Sequence, residues 1–207
     1  MGRRLLVLKL GGSLAQSGRL KSIVEIVSKA ARPVVIVPGG GPFADAVRAI
    51  QPQMALSDAQ AHRLALLAMH QMALVFAGMS ERFVTAEYLP EMFLVRGGGP
   101  IPVWLPYALQ HHDDTLPADW SVTSDALAAR LAERLKGAEV VLVKSCAVPL
   151  GATLEELTSS GVADPFFAQV VRRAGLRWQV FGAGSEGALS DLLHAAHGRR
   201  IQGDQSP

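Results

Sequence analysis

Apolar positions along this chain fall into short unbroken runs separated by stretches with helical spacing. Leu5 to Leu10 is such a run, interrupted only by Lys9, and it ends in Gly11-Gly12. Ile23, Val24, Ile26, Val27 and Ala30 then recur at helical spacing until Pro33, and Val34 to Val37 forms a second run closed by Pro38 and three glycines. A short apolar run bounded by turn residues reads as a buried strand, and a periodic stretch between two such runs as a helix. Strand, helix and strand here fit one βαβ unit, with glycine turns at the carboxyl ends of both strands. Phe43, Ala46, Val47 and Ile50 predict a second short helix, stopped by Pro52.

Ser57 to Gln60 has the form of a capping box, and the apolar pattern from Ala61 to Phe76 predicts a long, largely buried helix ending near Gly78, either core or dimer face. Met92 to Val95 and Ile101 to Leu105 predict strands around Gly97-Gly98-Gly99, which reads as a flexible hairpin, and Pro100, Pro102 and Pro106 argue for a sheet edge. Val122 to Asp125 leads into a helix carrying Leu127, Ala128, Leu131 and Leu135, terminated by Gly137. Val140 to Val143 predicts a buried strand. Thr153 to Glu156 is a second capping box, and Asp164-Pro165 an N-cap followed by proline at the first helical position. Trp178 to Phe181 predicts the last strand and Ser185 to Ala196 the last helix. Strands alternating with helices predict an α/β fold with a mainly parallel sheet covered on both faces. Residues 1–200 are expected to form one domain, followed by a polar tail over 201–207.

Composition narrows the classes of partner. The chain has 207 residues, 49% of them hydrophobic and 18% charged, and a mean hydropathy of +0.24. Such a chain fills a sizeable core, and its apolar surplus favours a homo-oligomer. A net charge of +2 with scattered basic residues offers no stripe for a nucleic-acid backbone. The single cysteine, Cys146, forms no internal disulfide, suits a reducing compartment and is expected to be buried. Lys9 breaks the apolar start too early for a signal peptide, Leu6 fails the myristoylation pattern, and no uncharged run approaches the ~20 residues of a membrane span. These features together predict a cytoplasmic protein.

The chemistry concentrates at the ends of the strands. Gly11 and Gly12 permit close backbone approach of a ligand, and exposed amides in such a turn attract phosphate oxygens; a plain tight turn is the alternative. Lys9, near the end of a buried strand, brings an ammonium to the carboxyl edge where open α/β sheets bind ligands, unless it snorkels to water or forms an ion pair. Gly39-Gly40-Gly41 repeats the arrangement after the second strand. Neither turn fits the dinucleotide or P-loop fingerprints. Asp125 stands in the first turn of a helix, where the helix dipole alone would stabilise it. Lys144 follows a buried strand, where it could approach phosphates or pair with an acid. His111-His112-Asp113-Asp114 contains metal-ligand types at adjacent positions, which reads as a solvated loop. Trp104, Trp120 and Trp178 read as anchors of packing.

Lys9-Leu10-Gly11-Gly12-Ser13 and Val37-Pro38-Gly39-Gly40-Gly41 resemble the opening motifs of the amino acid kinase superfamily. Trp120 to Leu127 is similar to a narrower signature, that of the aminomethylfuran-methyl phosphate kinases of methanofuran biosynthesis. The resemblance implies a three-layer αβα sandwich and transfer of the γ-phosphoryl group of ATP, with Mg²⁺, to a small phosphorylated acceptor such as a furan-methyl phosphate. Lys9 would stabilise the transferring group, and Asp125 would orient that lysine or, indirectly, a Mg²⁺ ion. Lys144 would act as a second cation. Gly11, Gly12 and Ser13 would hold the ATP phosphates; Gly39, Gly40 and Gly41, with His62 and Thr123, would hold the acceptor. His62 reads equally as a partly buried structural histidine, and Asp164 as a helix cap, though the resemblance places its segment near the acceptor. The chain departs from the family pattern at Lys144 to Val148, where a Thr-Asp-Val-Asp-Gly-like stretch is absent. That departure motivates a rival reading, a non-catalytic oxyanion-binding or storage protein on the same fold.

Overall fold

Alternation of side chains along the first strand sets up the whole molecule. In the computed structural model, which describes residues 4–93, 95, 97–110 and 113–194, Leu6–Leu10 forms β1. Leu6, Leu8 and Leu10 join one apolar cluster and Val7 the opposite one, as the two-residue period of a strand requires. Lys9 therefore shares a face with Val7. The adjacent strand β2, Val34–Pro38, divides the same way: Val35 and Val37 pack with Val7, Val34 and Ile36 with Leu8.

Among the described residues six strands form one sheet, all pairings parallel. After β2 come β3 (Phe83–Ala86), β4 (Ile101–Trp104), β5 (Glu139–Val143) and β6 (Trp178–Phe181), in the spatial order β3-β4-β2-β1-β5-β6. Lys9 lies in register with Val37 of β2 and Leu142 of β5, at the centre of the sheet.

Helices cover both faces. With α1 as Leu20–Ser28, α2 as Gly41–Ile50 and α3 as Asp58–Ala77, the connections after β3 and β4 hold the short helices α4 (Leu89–Phe93) and α5 (Tyr107–Gln110). The carboxyl-terminal half adds α6 (Ser124–Arg134), α7 (Leu154–Ser159), α8 (Pro165–Ala174) and α9 (Glu186–His194). Side chains of α6 and α8 pack on the Val7 face, those of α1 and α9 on the Leu8 face. α3 is capped by a complete Ser57–Gln60 box and contributes to both clusters: Leu66 and Met69 to one, Met72, Ala73 and Phe76 to the other.

The middle of the chain corrects the sequence reading. Met92 belongs to α4, not to a strand; the helix starts where the Glu91 carboxylate accepts from the amides of Glu87 and Tyr88. The edge on this side of the sheet is β3, whose four residues bury only the first and last. β4 is interior, between β3 and β2, and tolerates Pro102 because its register with β2 is confined to Ile36 and Val103. Gly97 to Gly99 do not close a hairpin, since β3 and β4 are parallel. A Cβ on Gly97 would fall 2.1 Å from the Ala31 carbonyl oxygen, so glycine lets the two chains touch there. Arg82 secures the same end of the sheet, donating to the carbonyls of Ser28, Ala30 and Gly99. His111, His112, Ala195, Ala196 and the tail lie outside the described residues.

Candidate active site

The two glycine turns at the carboxyl edge pack backbone against backbone. A Cβ on Gly12 would lie 2.2 Å from the Gly41 nitrogen, and one on Gly39 2.4 Å from the Gly12 nitrogen. Neither position can accept a side chain, so glycine is required by the contact of one turn with the other. Gly41 also has φ +53°, a left-handed conformation that only glycine enters without cost.

Lys9 reaches this edge on the face covered by α6. Thr123 caps α6, its Oγ1 accepting from the Asp125 amide at 3.3 Å. Asp125 is thereby the second helical residue, aimed at the strand ends. Lys9 Nζ lies 2.9 Å from Asp125 Oδ1, an ion contact outside hydrogen-bond geometry. Lys144, continuing the alternation of Val140 and Leu142 on β5, donates to Oδ2 at 2.5 Å. Burial alone would raise the Asp125 pKa, but the two ammonium charges outweigh it and hold the carboxyl below its ordinary value. Burial, then the Lys9 charge, lowers the pKa of Lys144 against the opposing pull of Asp125.

Above this triad opens a cavity of about 450 Å³, lined by Lys9, Asp125, Lys144, Gly12, Ser13, Gly39, Gly40, Gly41, His62 and Thr123. Ten of the residues singled out in the sequence thus meet in one place. Gly11 does not line it, and its amide is directed to the Val143 carbonyl at 3.3 Å. His62 also borders a smaller neighbouring cavity of about 200 Å³, and burial lowers its pKa against the opposing effect of Asp119.

Several features were not legible in the sequence. Arg48 lies over the Trp120 ring, 4.3 Å from its centroid, and both line the cavity, so Trp120 is a wall of the site as well as a packing anchor. Its indole donates to Gln51 Oε1 at 2.6 Å. Arg19 donates to the Lys144 carbonyl at 3.0 Å, to that of Gly182 at 3.2 Å and to Glu186 at 2.6 Å, fastening the segment after β1 to the ends of β5 and β6. Ser13 and Ser145 share a hydrogen bond of 2.9 Å across the same gap. Only contacts more than a hundred residues apart in sequence could reveal this. Cys146, expected to be buried, is exposed, and its carbonyl accepts from the Ala183 amide at 2.8 Å. Asp113, expected in a solvated loop, has a side chain only 3% exposed and held by Arg130 and Arg134.

A protein-held Mg²⁺ does not fit these donors. Both Asp125 oxygens face ammonium groups, and among the described residues no three His, Cys, Asp or Glu side chains converge. A hard cation needs an oxygen-rich shell.

The sequence profile of the amino acid kinase family matches residues 4–147, more than half of the chain. The chain belongs to the amino acid kinase family. The match runs through Lys144 and ends at Ala147, inside the Lys144 to Val148 segment. Over 139 residues the chain is 28% identical to the [5-(aminomethyl)furan-3-yl]methyl phosphate kinase of Methanocaldococcus jannaschii, a stretch covering 66% of this chain and 63% of that enzyme. The fold is that of the uridylate kinase from Archaeoglobus fulgidus, with a TM-score of 0.64 and 17% identity over 92% of this chain and 95% of that one. No helix among the described residues is long and apolar enough to cross a membrane.

Proposed function

We propose that this member of the family is a phosphotransferase that moves the γ-phosphoryl group of ATP to a small phosphate monoester, a furan-methyl phosphate, giving a diphosphate. The observation that carries this reading is the Lys9-Asp125-Lys144 triad on the floor of a cavity walled by two glycine turns. An acceptor phosphate oxygen attacks the γ-phosphorus as the bond to the bridging oxygen of ADP breaks. Two fixed ammonium groups neutralise charge spread over the transferring oxygens, which is what such a reaction needs from its protein. Asp125 holds the cations apart and in place. Gly12 and Ser13 face the ATP phosphates, and Gly40, Gly41, His62 and Thr123 the acceptor. Any Mg²⁺ the reaction uses would have to arrive with the nucleotide, because no carboxylate cluster among the described residues is built to hold it. The choice of acceptor is supported by the resemblance to the furan-methyl phosphate kinase, and Arg48 with Trp120 supplies a cation and a flat apolar face suited to a planar phosphorylated ring.

The test is ATP consumption with a panel of phosphate monoesters, a furan-methyl phosphate among them. Lys9→Ala should lower turnover by orders of magnitude with an unchanged circular dichroism spectrum. Equal turnover by the two proteins rejects the assignment.

A second reading, a non-catalytic oxyanion-binding protein, is favoured by one observation. Arg19 and the Ser13–Ser145 bond close the edge beside the divergent Lys144 to Val148 segment. Calorimetry with ATP, with and without Mg²⁺, separates the two: no binding at millimolar ATP supports this alternative.

A further inference from the structure

Lys9, Asp125 and Asp164 are the charged residues buried as whole residues among those described, and all three stand at the cavity. Phosphoryl transfer as read above uses the first two. Asp164 is the N-cap of α8, with Pro165 behind it and its Oδ1 accepting from the Phe167 amide at 2.7 Å. A cap needs one oxygen. The other, Oδ2, reaches across to α6 and accepts three bonds: from the Thr123 amide at 3.1 Å, from Thr123 Oγ1 at 2.6 Å and from the Ala126 amide at 3.1 Å.

These three donors surround Asp125. Thr123 precedes it by two residues and Ala126 follows it, so one carboxylate clamps both sides of the residue that separates the two lysines. Two helix amino termini, of α6 and α8, also direct their positive ends at the same group. The clamp joins segments 41 residues apart in sequence, and it fixes α6 relative to the end of β5 where Lys144 stands.

We propose that Asp164 is a positioning residue for phosphoryl transfer, acting through Thr123 and Ala126 to set the Asp125 carboxylate between Lys9 and Lys144. The proposal rests on the kinase reading for its kinetic consequence, while the clamp itself is open to a separate measurement. Asp164 also lies close enough to Lys144 to favour its charged form. Burial raises the pKa of Asp164 against its bonds from Thr123, Phe167 and Ala126, and an arriving phosphate meets lysines already placed by neighbouring carboxyl groups.

Two substitutions separate capping from clamping. Asp164→Ser keeps a good N-cap for α8 but has one oxygen where two are used. Asp164→Asn keeps the shape but has one acceptor oxygen, which can serve the cap or the clamp and not both; with the cap kept, its NH₂ cannot bond to the Thr123 and Ala126 amides and at most donates to Thr123 Oγ1. In both variants kcat should fall about 10- to 100-fold, because misplacement by an ångström of a group that positions charge costs that order. The ATP KM should stay within about threefold of wild type, since the glycine turns are untouched. Amide exchange followed by NMR should show Ala126 exchanging at least about tenfold faster while Phe167 keeps its protection. Wild-type kcat in Asp164→Ser would overturn the proposal, as would unchanged Ala126 exchange in both variants. If the wild-type protein turns over no acceptor, the kinase reading fails, and Ala126 exchange alone then decides whether the clamp exists.

Discussion

Lys144 and Asp125 meet at 2.5 Å between Nζ and Oδ2, with the Asp125 side chain 4% exposed and Lys144 12%. Lys9 approaches the other oxygen, so one carboxylate separates two buried cations. Removing one partner of a buried ion group leaves uncompensated charge, at a cost of about 3–5 kcal/mol. Asp125→Asn should be destabilised by about that amount and lose turnover by about a hundredfold or more. Inorganic phosphate or ATP should raise the melting temperature of the variant more than that of wild type, because an anion takes the place of the lost carboxylate. An Asn variant melting within a degree of wild type without ligand would contradict this account of the triad.

The lowered pKa of Lys144 gives the site a pH signature. Between its folded value and the ordinary lysine value of about 10.4, the folded chain has released a proton that the unfolded chain keeps. The unfolded state binds more protons there, so this group makes stability rise with pH across that window. Activity that needs the ammonium falls over the same window. An arginine does not titrate there, and Lys144→Arg should shift the alkaline limb of the kcat/KM profile upward. An alkaline limb unmoved by the substitution would assign it to another group.

The contact of the two glycine turns predicts a steep cost for the smallest side chain. In Gly12→Ala the new Cβ would stand 2.2 Å from the Gly41 nitrogen and 2.3 Å from its Cα. Backbone atoms cannot swing aside as a flexible side chain does, so the turns must separate. A loss of at least about 3 kcal/mol is expected, at the upper end of overpacking costs. Gly18→Ala provides a contrast: a Cβ there meets nothing within 4 Å, although φ is +72°, so it should cost about 1 kcal/mol. Chemical denaturation of the pair checks the order, and equal stability of the two variants would refute it.

The parts that were legible in the sequence were those written in local periodicity. β1, β2, β5 and β6 are short, mainly apolar runs bounded by turn residues, and the starts of α3, α7 and α8 carry their own capping residues. Lys9 and Asp125 could be named as separate candidates, but their meeting depends on strand parity, which puts Lys9 on the α6 face. β3 was missed because Phe83–Ala86 is four residues on an edge with two exposed, too short for a period to emerge. Met92 reads as a strand because it opens the apolar run Met92 to Val95, although in α4 only Met92 is buried and Phe93 is 53% exposed; a short apolar run does not by itself separate strand from helix. The second role of Asp164 and the Arg19 fastening involve partners 38 to 167 residues away, a distance at which capping and charge rules say nothing.

Exposed apolar side chains on α3 predict a homo-oligomer. Leu67, Leu74 and Val75 are 44%, 62% and 43% exposed, and their spacing of seven and eight residues places them on one stripe. Met79 and Val84 are exposed as well, just beyond α3 and on the edge strand β3. Light scattering should give a mass of at least twice 22.0 kDa for wild type, reduced towards the monomer by Leu74→Glu with secondary structure retained. A monomeric wild-type protein at tens of micromolar would dismiss this stripe as an interface.

Asp113 ties the segment before α6 to that helix, through bonds of 2.7 Å to both Arg130 and Arg134. Burial pushes its pKa up, but hydrogen bonds from Arg130, Thr115 and Arg134 outweigh that and hold the carboxyl well below the usual carboxylate range. A depressed folded pKa means that the stabilisation is fully present above the unfolded value of about 3.9 and is lost as pH falls towards the folded value. Asp113→Asn should therefore be less stable at neutral pH by about 2 kcal/mol, below the full cost of breaking a buried pair because the arginines are partly exposed. Its stability should also vary less steeply than that of wild type as the pH is lowered below about 5. Urea midpoints measured across that range test both statements. If the difference between the two proteins stays constant down to the lowest pH, the Asp113 carboxylate is not the group that titrates.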